Sequence, residues 1–388
     1  MTSVSTHYLE CIECHRRYKP AQIYFCPKCQ NLLQINYEYE RLRRRFETSL
    51  VEAGPLSVWR YQALLPVPDR RRATLGEGGT PLPKSMRLAD SLGFSGVYFK
   101  NEGQNPTGSF KDRGMTVAMT RAVQMGAKGV LCASTGNTSA SMAAYAARAG
   151  LRATVLIPRG KIAKGKLVQA VAHGAKIREV SGNFDKALAR ARTLAATGGL
   201  YLANSLNPYR IEGQKTLAFE VWEQLSRVPD VVILPVGNAG NISAIWKGFC
   251  ELKWVGLTRR TPRMIGVQAD GAAPIAAAYA KGVEMTPWPH PETVATAIRI
   301  GAPASWKKAL RAVRDSGGIM LTVSDHEILR AQRLLASKEG IFAEPASSAS
   351  LAGLLKASRS SLIGRRDSIV CVITGHGLKD QAVVETVK

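Results

Sequence analysis

A lysine near the start of a helix, after a turn-rich loop, is placed to act as an amine nucleophile. Lys111, in Asn105-Pro-Thr-Gly-Ser-Phe-Lys-Asp-Arg-Gly114, sits in such a position. Partial desolvation beside the positive end of a helix disfavours the ammonium form, and the free amine condenses with aldehydes. Most lysines are solvated surface groups, so Lys111 gains chemical meaning only from its companions.

Four loops at the ends of apolar strands supply them, as expected of open α/β sheets, which bind ligands at strand carboxyl ends. Gly237-Asn238-Ala239-Gly240-Asn241 follows Val231–Val236 and precedes a helix expected from Ile242. Its glycines allow close backbone approach, and free N–H groups at a helix start suit a phosphate. The spacing is neither a dinucleotide fingerprint nor a nucleotide-hydrolase loop, and a tight turn capped by Asn uses the same residues. Ser134-Thr135-Gly136-Asn137-Thr138 follows Gly129–Ala133. Hydroxyls and amides there suit a carboxylate, and the Asn137 amide suits a phenolic oxygen; capping by Asn137 or Thr138 needs the same geometry. Thr374 ends the strand Ser368–Thr374 and offers a hydroxyl to an aromatic ring nitrogen, or a turn. Asn204, Ser205 and Arg210 follow Leu200–Ala203 and suit a second phosphate, or form a loop in which Pro208 opens the next helix. An amine for an aldehyde, a phosphate cradle, a phenol partner and a ring-nitrogen partner together describe a pocket for pyridoxal phosphate.

The elements that must position these groups are helices alternating with short strands. Gly126, Gly150, Gly174 and Gly198 recur every twenty-four residues, each suited to the left-handed position after a helix. Strands are expected at Gly129–Ala133, Ala153–Ile157, Lys176–Val180 and Leu200–Ala203. A second series runs through Val231–Val236, Met264–Gln268, Met320–Val323 and Ser368–Thr374. Its helices are expected at Ile242–Glu251, Ala304–Asp315 and Asp325–Ser337, the last opened by a Ser324/Glu327 capping box. Gly271–Pro303 is expected to be irregular. Units of this length build parallel sheets with right-handed crossovers. The expected fold is α/β, with two open twisted parallel-sheet domains, the site in the cleft between them, and a small amino-terminal module. The expected boundaries are 1–36 for the module, 96–204 for the small domain with Lys111, and 37–95 with 205–388 for the large one.

The 388 residues carry a formal charge of +24 and seven cysteines. No apolar run is long enough to cross a membrane, and Met1–Cys11 lacks a signal-peptide pattern, so the expected compartment is the cytoplasm. The charge is dispersed apart from Arg41–Arg45 and Arg70–Arg72, short runs that suit a solvated helix face or linker, and it attracts anionic substrates. Aromatic residues do not interleave with basic ones, so no nucleic-acid stacking platform is expected. Cys11-x-x-Cys14, eleven residues, then Cys26-x-x-Cys29 is the spacing of a four-thiolate structural zinc ribbon.

Taken together, the chain resembles the fold-type-II pyridoxal-phosphate enzymes, and among them the threonine synthase family. The resemblance runs from Gly76-Glu-Gly-Gly-Thr-Pro-Leu82 through Ser109–Arg113, Asn204–Thr216, Ala295–Trp306 and Glu344-Pro-Ala-Ser347 to Thr374–Asp380. It implies that Lys111 carries the cofactor as a Schiff base and then moves protons at the substrate carbons. Asn137 would meet the pyridoxal 3-hydroxyl, Gly237, Asn238, Ala239, Gly240 and Asn241 the cofactor phosphate, and Thr374 the pyridine nitrogen. Ser134, Thr135 and Thr138 would hold the substrate carboxylate or lie beside its phosphate. Lys100, Asn204, Ser205 and Arg210 would bind that phosphate. The implied reaction converts O-phospho-L-homoserine and water to L-threonine and phosphate, and the implied assembly is a homodimer. Two alternatives stand beside it. A cysteate synthase would use O-phosphoserine and sulfite with nearly the same residues, and a nucleic-acid-binding zinc-ribbon protein would use the charge on a degenerate enzyme scaffold. Lys111, Asn137 and Thr374, all retained, speak against the second.

Overall fold

Among the described residues of the computed structural model (7–52, 54–68, 71–159, 164–182, 184–360 and 362–380) the backbone forms twelve strands. Residues 1–6 of the Met1–Cys11 stretch and Arg70 of the basic run lie outside this set. The strands are β1 (His7–Cys11), β2 (Arg17–Tyr18), β3 (Leu33–Tyr37), β4 (Gly96–Asn101), β5 (Gly129–Ala133), β6 (Ala153–Pro158), β7 (Lys176–Val180), β8 (Leu200–Leu202), β9 (Val231–Pro235), β10 (Arg263–Ala269), β11 (Ile319–Val323) and β12 (Ser368–Ile373). They form an antiparallel sheet β2-β1-β3 and two parallel sheets, β7-β6-β5-β8 and β11-β10-β9-β12-β4.

Both parallel sheets follow from the short apolar runs. β5, β9 and β12 are buried along their whole length, as strands covered on both faces must be. β7 lies at an edge and carries Lys176, Arg178 and Glu179, charges that discourage edge-to-edge pairing. Helix ends follow the glycine signal at Gly126, Gly150 and Gly174, all left-handed. The fourth turn departs by one residue. Gly198 still donates its N–H to Leu194 O, and Gly199, at φ 62°, makes the turn.

The chain divides into two compact units, Met1–Gly79 with Asn105–Thr216 and Thr80–Gln104 with Leu217–Lys388. These boundaries differ from those expected from sequence. Residues 96–101 form β4, which pairs with β12 and so belongs to the second unit. Residues 205–216 belong to the first, because the Pro208–Gln214 helix packs on the Lys111–Gln124 helix. Two glycines permit that packing: a Cβ on Gly114 would lie 2.8 Å from Arg210 O, and one on Gly213 would run into Arg113 O. The helices that carry Lys111 and Arg210 therefore meet almost backbone to backbone.

In the second unit the Ser324/Glu327 capping box forms, with both reciprocal bonds. The segment expected to be irregular contains a helix, Pro274–Lys281, opened by Pro274 and closed by left-handed Gly282. Its Ala-rich sequence has little polar contrast, so its period was not visible although both end signals were.

Candidate functional site

The first unit places one group of candidate residues. The loop before Lys111 is anchored by Asp112, whose carboxylate accepts from Thr107 N (2.7 Å), Thr107 Oγ1 (2.6 Å) and Ser141 Oγ (2.5 Å). Lys111 begins the Lys111–Gln124 helix, half-buried, with Nζ over the Phe110 ring at 3.7 Å from its centroid. Two residues earlier, the buried Ser109 hydroxyl has no hydrogen-bond partner. A serine in a turn-rich loop is unremarkable by type, so Ser109 stood out in the sequence only as the first residue of the Ser109–Arg113 motif.

Burial raises the Asp112 carboxyl to about 6 despite the opposing bonds from Ser141 and Thr107. A proton bound more tightly in the folded than in the unfolded chain contributes stability that is full below the usual carboxylate range and is lost as pH rises through about 6. We expect Asp112→Asn to remove this dependence. Between pH 4 and 7 the wild type should lose about 2 kcal/mol relative to the variant, since each tenfold difference in proton affinity between the folded and unfolded chain is worth about 1.4 kcal/mol and part of that difference is already spent at pH 4. Denaturant midpoints that run parallel across this range would contradict it.

Ser134, Thr135 and Thr138 are half-buried and Asn137 is buried at the start of the Asn137–Arg148 helix. The capping alternative fails in detail: Gly136 is the N-cap and no side chain caps the helix. Ser134 Oγ instead accepts from Gly136 N at 3.2 Å. The next loop lies close by. Asn204 Oδ1 accepts from Ala133 N (3.0 Å) and its Nδ2 donates to Ala133 O (2.9 Å). Asn204 therefore ties its loop to the residue before Ser134.

Arg210 follows in the same segment. It is almost wholly buried, donates Nη1 to Ala203 O at 3.1 Å, and leaves Nε without a partner. Burial lowers its guanidinium to about 10. No carboxylate offsets that burial in its hydrogen bonds, so an anion supplied from outside would relieve it. Pro208 is the first residue of the helix, as expected, and Asn207 caps it. Ser205 is half-buried in the same loop.

The second unit holds the rest. The Gly240–Trp254 helix starts after left-handed Ala239 (φ 65°), two residues earlier than expected. A Cβ on Gly237 would lie 3.1 Å from Ile298 Cα, so glycine lets this loop pass the neighbouring backbone. Asn238 braces it, accepting from Ala304 N at Oδ1 (3.2 Å) and from Ser305 N at its carbonyl (3.2 Å). Both side-chain polar atoms of Asn241 are buried without partners, as is Ser305 Oγ. Orphaned donors at a helix start fit the phosphate of pyridoxal phosphate, which needs several N–H and O–H groups. Ser305 was missed as a site residue, although it lies within the Ala295–Trp306 motif.

Thr374 follows β12, buried, with its hydroxyl 2.7 Å from Ser347 Oγ. Ser347 Oγ also accepts from Gly375 N at 2.7 Å. Glu344, buried, precedes the Pro345–Ala357 helix and accepts Ser347 N at its carbonyl. A fixed hydroxyl of this kind suits a pyridine nitrogen because it is polar without carrying charge.

Lys100 requires correction. It lies in β4 with no exposed side-chain surface, and Nζ donates to Thr80 O (2.7 Å), Glu220 Oε2 (2.8 Å) and Gln224 Oε1 (2.8 Å). All three protons are engaged by the protein. It is a neutralised core charge, not a hand for substrate phosphate.

In the amino-terminal sheet the four sulfurs of Cys11, Cys14, Cys26 and Cys29 lie within 4.8 Å of one another, with Cys11–Cys29 at 3.3 Å and Cys14–Cys26 and Cys14–Cys29 at 3.6 Å. Tetrahedral zinc thiolates at about 2.3 Å from the metal stand about 3.8 Å apart, so the cluster is compatible with zinc.

Known proteins share this chain's sequence and fold. The profile of the family described as "Pyridoxal-phosphate dependent enzyme" matches residues 73–375. The curated threonine synthase of Methanosarcina acetivorans is 53% identical over 381 residues, 97% of this chain and 93% of that protein. The threonine synthase of Mycobacterium bovis is 55% identical over 335 residues, 86% of this chain and 91% of that one. Among solved structures, maize serine racemase superposes with a TM-score of 0.69 over 89% of this chain and 96% of its own, at 22% identity, a likeness of fold alone.

Proposed function

The chain belongs to the pyridoxal-phosphate dependent enzyme family and, within it, to the threonine synthases, and from its geometry we propose which residues carry the reaction. The reaction converts O-phospho-L-homoserine and water to L-threonine and phosphate. When bound, pyridoxal phosphate supplies an electron sink that lowers the barrier to removing protons from the α and β carbons.

The protein supplies position and proton control. Lys111 attaches the cofactor by its amine. With its amine free, Lys111 would move protons at the substrate carbons, from a helix whose entry loop Asp112 holds still. Asn137 orients the phenolic oxygen, and Thr374, held by Ser347, meets the ring nitrogen. Gly237, Asn238, Ala239, Gly240 and Asn241 cradle the cofactor phosphate, with Asn241 and Ser305 contributing their unpartnered groups. Ser134, Thr135 and Thr138 take the substrate carboxylate through hydroxyls and the uncapped helix start. Arg210, with Ser205 beside it, receives the phosphate that leaves the γ carbon, and water adds at the β carbon.

The observation that carries the phosphorylated substrate is the buried Arg210 guanidinium with an unpartnered Nε and no carboxylate in its hydrogen bonds. The attachment site is tested by reducing the holoenzyme with borohydride and mapping the modified peptide. Cofactor mass on the peptide containing Lys111 supports the assignment; modification of a different lysine defeats it.

We also propose that Cys11, Cys14, Cys26 and Cys29 hold a structural zinc ion. Four thiolates fill a tetrahedral shell and leave no position for a reacting ligand. Metal analysis of protein purified without chelator should return one zinc per chain, and a zinc-free preparation with unchanged thermal midpoint would refute the site.

A further inference from the structure

The loop Asn204–Asn207 and Arg210 depend on the two elements that flank them, β8 before and the Pro208–Gln214 helix after. The amino-terminal module grips both. β8 is an edge strand, paired with β5 on one side only. On its other side, Gln22 Nε2 donates to Leu200 O at 2.9 Å, and Leu202 N donates to Tyr24 Oη at 3.2 Å. Gln22 and Tyr24 belong to the segment between the two cysteine pairs, so its side chains take the edge groups a neighbouring strand would have taken.

Beyond the loop the contacts are ionic and aromatic. Tyr37, the last residue of β3, donates its hydroxyl to Glu212 Oε2 at 2.6 Å. Lys215 Nζ pairs with the same carboxylate oxygen and lies 4.5 Å from the Tyr37 ring centroid. Glu212 and Lys215 have no exposed side-chain surface. The His7 ring meets the Tyr209 ring edge-on with centroids 6.2 Å apart, directly beside Arg210 in sequence. Buried polar contacts of this kind fix one geometry, because any other leaves a charge or hydroxyl unsatisfied.

We propose that the four-cysteine module is a positioning clamp for the substrate-phosphate loop: it holds β8 and the Pro208–Gln214 helix in register so that Arg210 meets the phosphate. It touches no reacting atom, and its residues act through Arg210. The proposal rests on the assignment of Arg210 to phosphate. It predicts that the module governs substrate affinity and leaves cofactor attachment alone.

The test uses the holoenzyme, with inorganic phosphate titrated calorimetrically and KM measured with O-phosphohomoserine. In the Tyr24→Phe/Tyr37→Phe double variant, which keeps both rings, phosphate Kd and KM should each rise about tenfold, as expected for two lost hydrogen bonds. The kcat, the cofactor absorbance and the cofactor affinity should stay at wild-type values. Gln22→Ala, a milder change at a half-buried site, should shift phosphate Kd in the same direction and guards against a double variant that folds poorly. Arg210→Met run in parallel separates the two ideas. Phosphate affinity lost with Arg210→Met but unmoved by the tyrosine and glutamine variants overturns the clamp alone. Affinity unmoved by Arg210→Met overturns the phosphate assignment and the clamp with it. A fall in kcat or cofactor affinity with KM unchanged contradicts the clamp directly.

Discussion

Replacing Lys111 with Ala should lower kcat/KM by about 10⁴-fold or more, because one side chain is both the attachment point and the proton carrier. Added amine is a poor substitute, since it lacks the position given by the Asp112-anchored loop. The near-visible absorbance of lysine-bound cofactor should vanish as well, while the circular-dichroism spectrum stays native, because the side chain is half-buried and outside the main core. A variant with measurable colour and turnover would remove Lys111 from the centre of the account.

Arg210→Met carries the second large effect, and its sign differs between function and stability. Losing charge-assisted bonds to phosphate, each about 1.5–3 kcal/mol, should raise KM for the phosphorylated substrate roughly 10²-fold. Stability without ligand should not fall correspondingly. The guanidinium is buried without a carboxylate partner in its hydrogen bonds, and an unbranched apolar side chain fills similar space without the desolvation penalty. The thermal midpoint of phosphate-free protein should therefore equal or exceed the wild type. Phosphate at about 100 times its Kd should protect the wild type by about 2.7 kcal/mol and the variant by almost nothing. A variant that is destabilised without ligand yet still protected by phosphate would show that Arg210 is an ordinary structural arginine.

How far the sequence reveals such a site depends on the range of the forces involved. Parallel strands buried on both faces are continuous apolar runs, and helices end at glycines for local steric reasons, so β5, β7, β9 and their neighbours were legible within a residue or two. The glycine loop before the Gly240–Trp254 helix and the cysteine pairs were legible for the same reason, since their geometry is set within a few residues. Partnership across the chain was not. Lys100 and Glu220 are 120 positions apart, and nothing local to Lys100 says that three acceptors wait for its ammonium. Asn204 likewise holds Ala133, 71 positions away, a partner that nothing beside it in the chain announces. The roles of Ser305 and Ser347 were hidden for this cause: a serine has no distinctive pattern, and only its burial and its hydrogen bonding, missing at Ser305 and made at Ser347, mark it. The unit boundaries moved for a topological reason, since β4 crosses to pair with β12 far along the chain.

The most direct measurement offers the purified holoenzyme four substrates in turn, O-phospho-L-homoserine, O-phosphoserine with sulfite, serine and threonine, and assays phosphate and amino-acid products. Threonine and phosphate should form in equal amounts from O-phosphohomoserine, with no comparable turnover of the other three. Cysteate formed from O-phosphoserine and sulfite at a higher kcat/KM, with little threonine from O-phosphohomoserine, would contradict it.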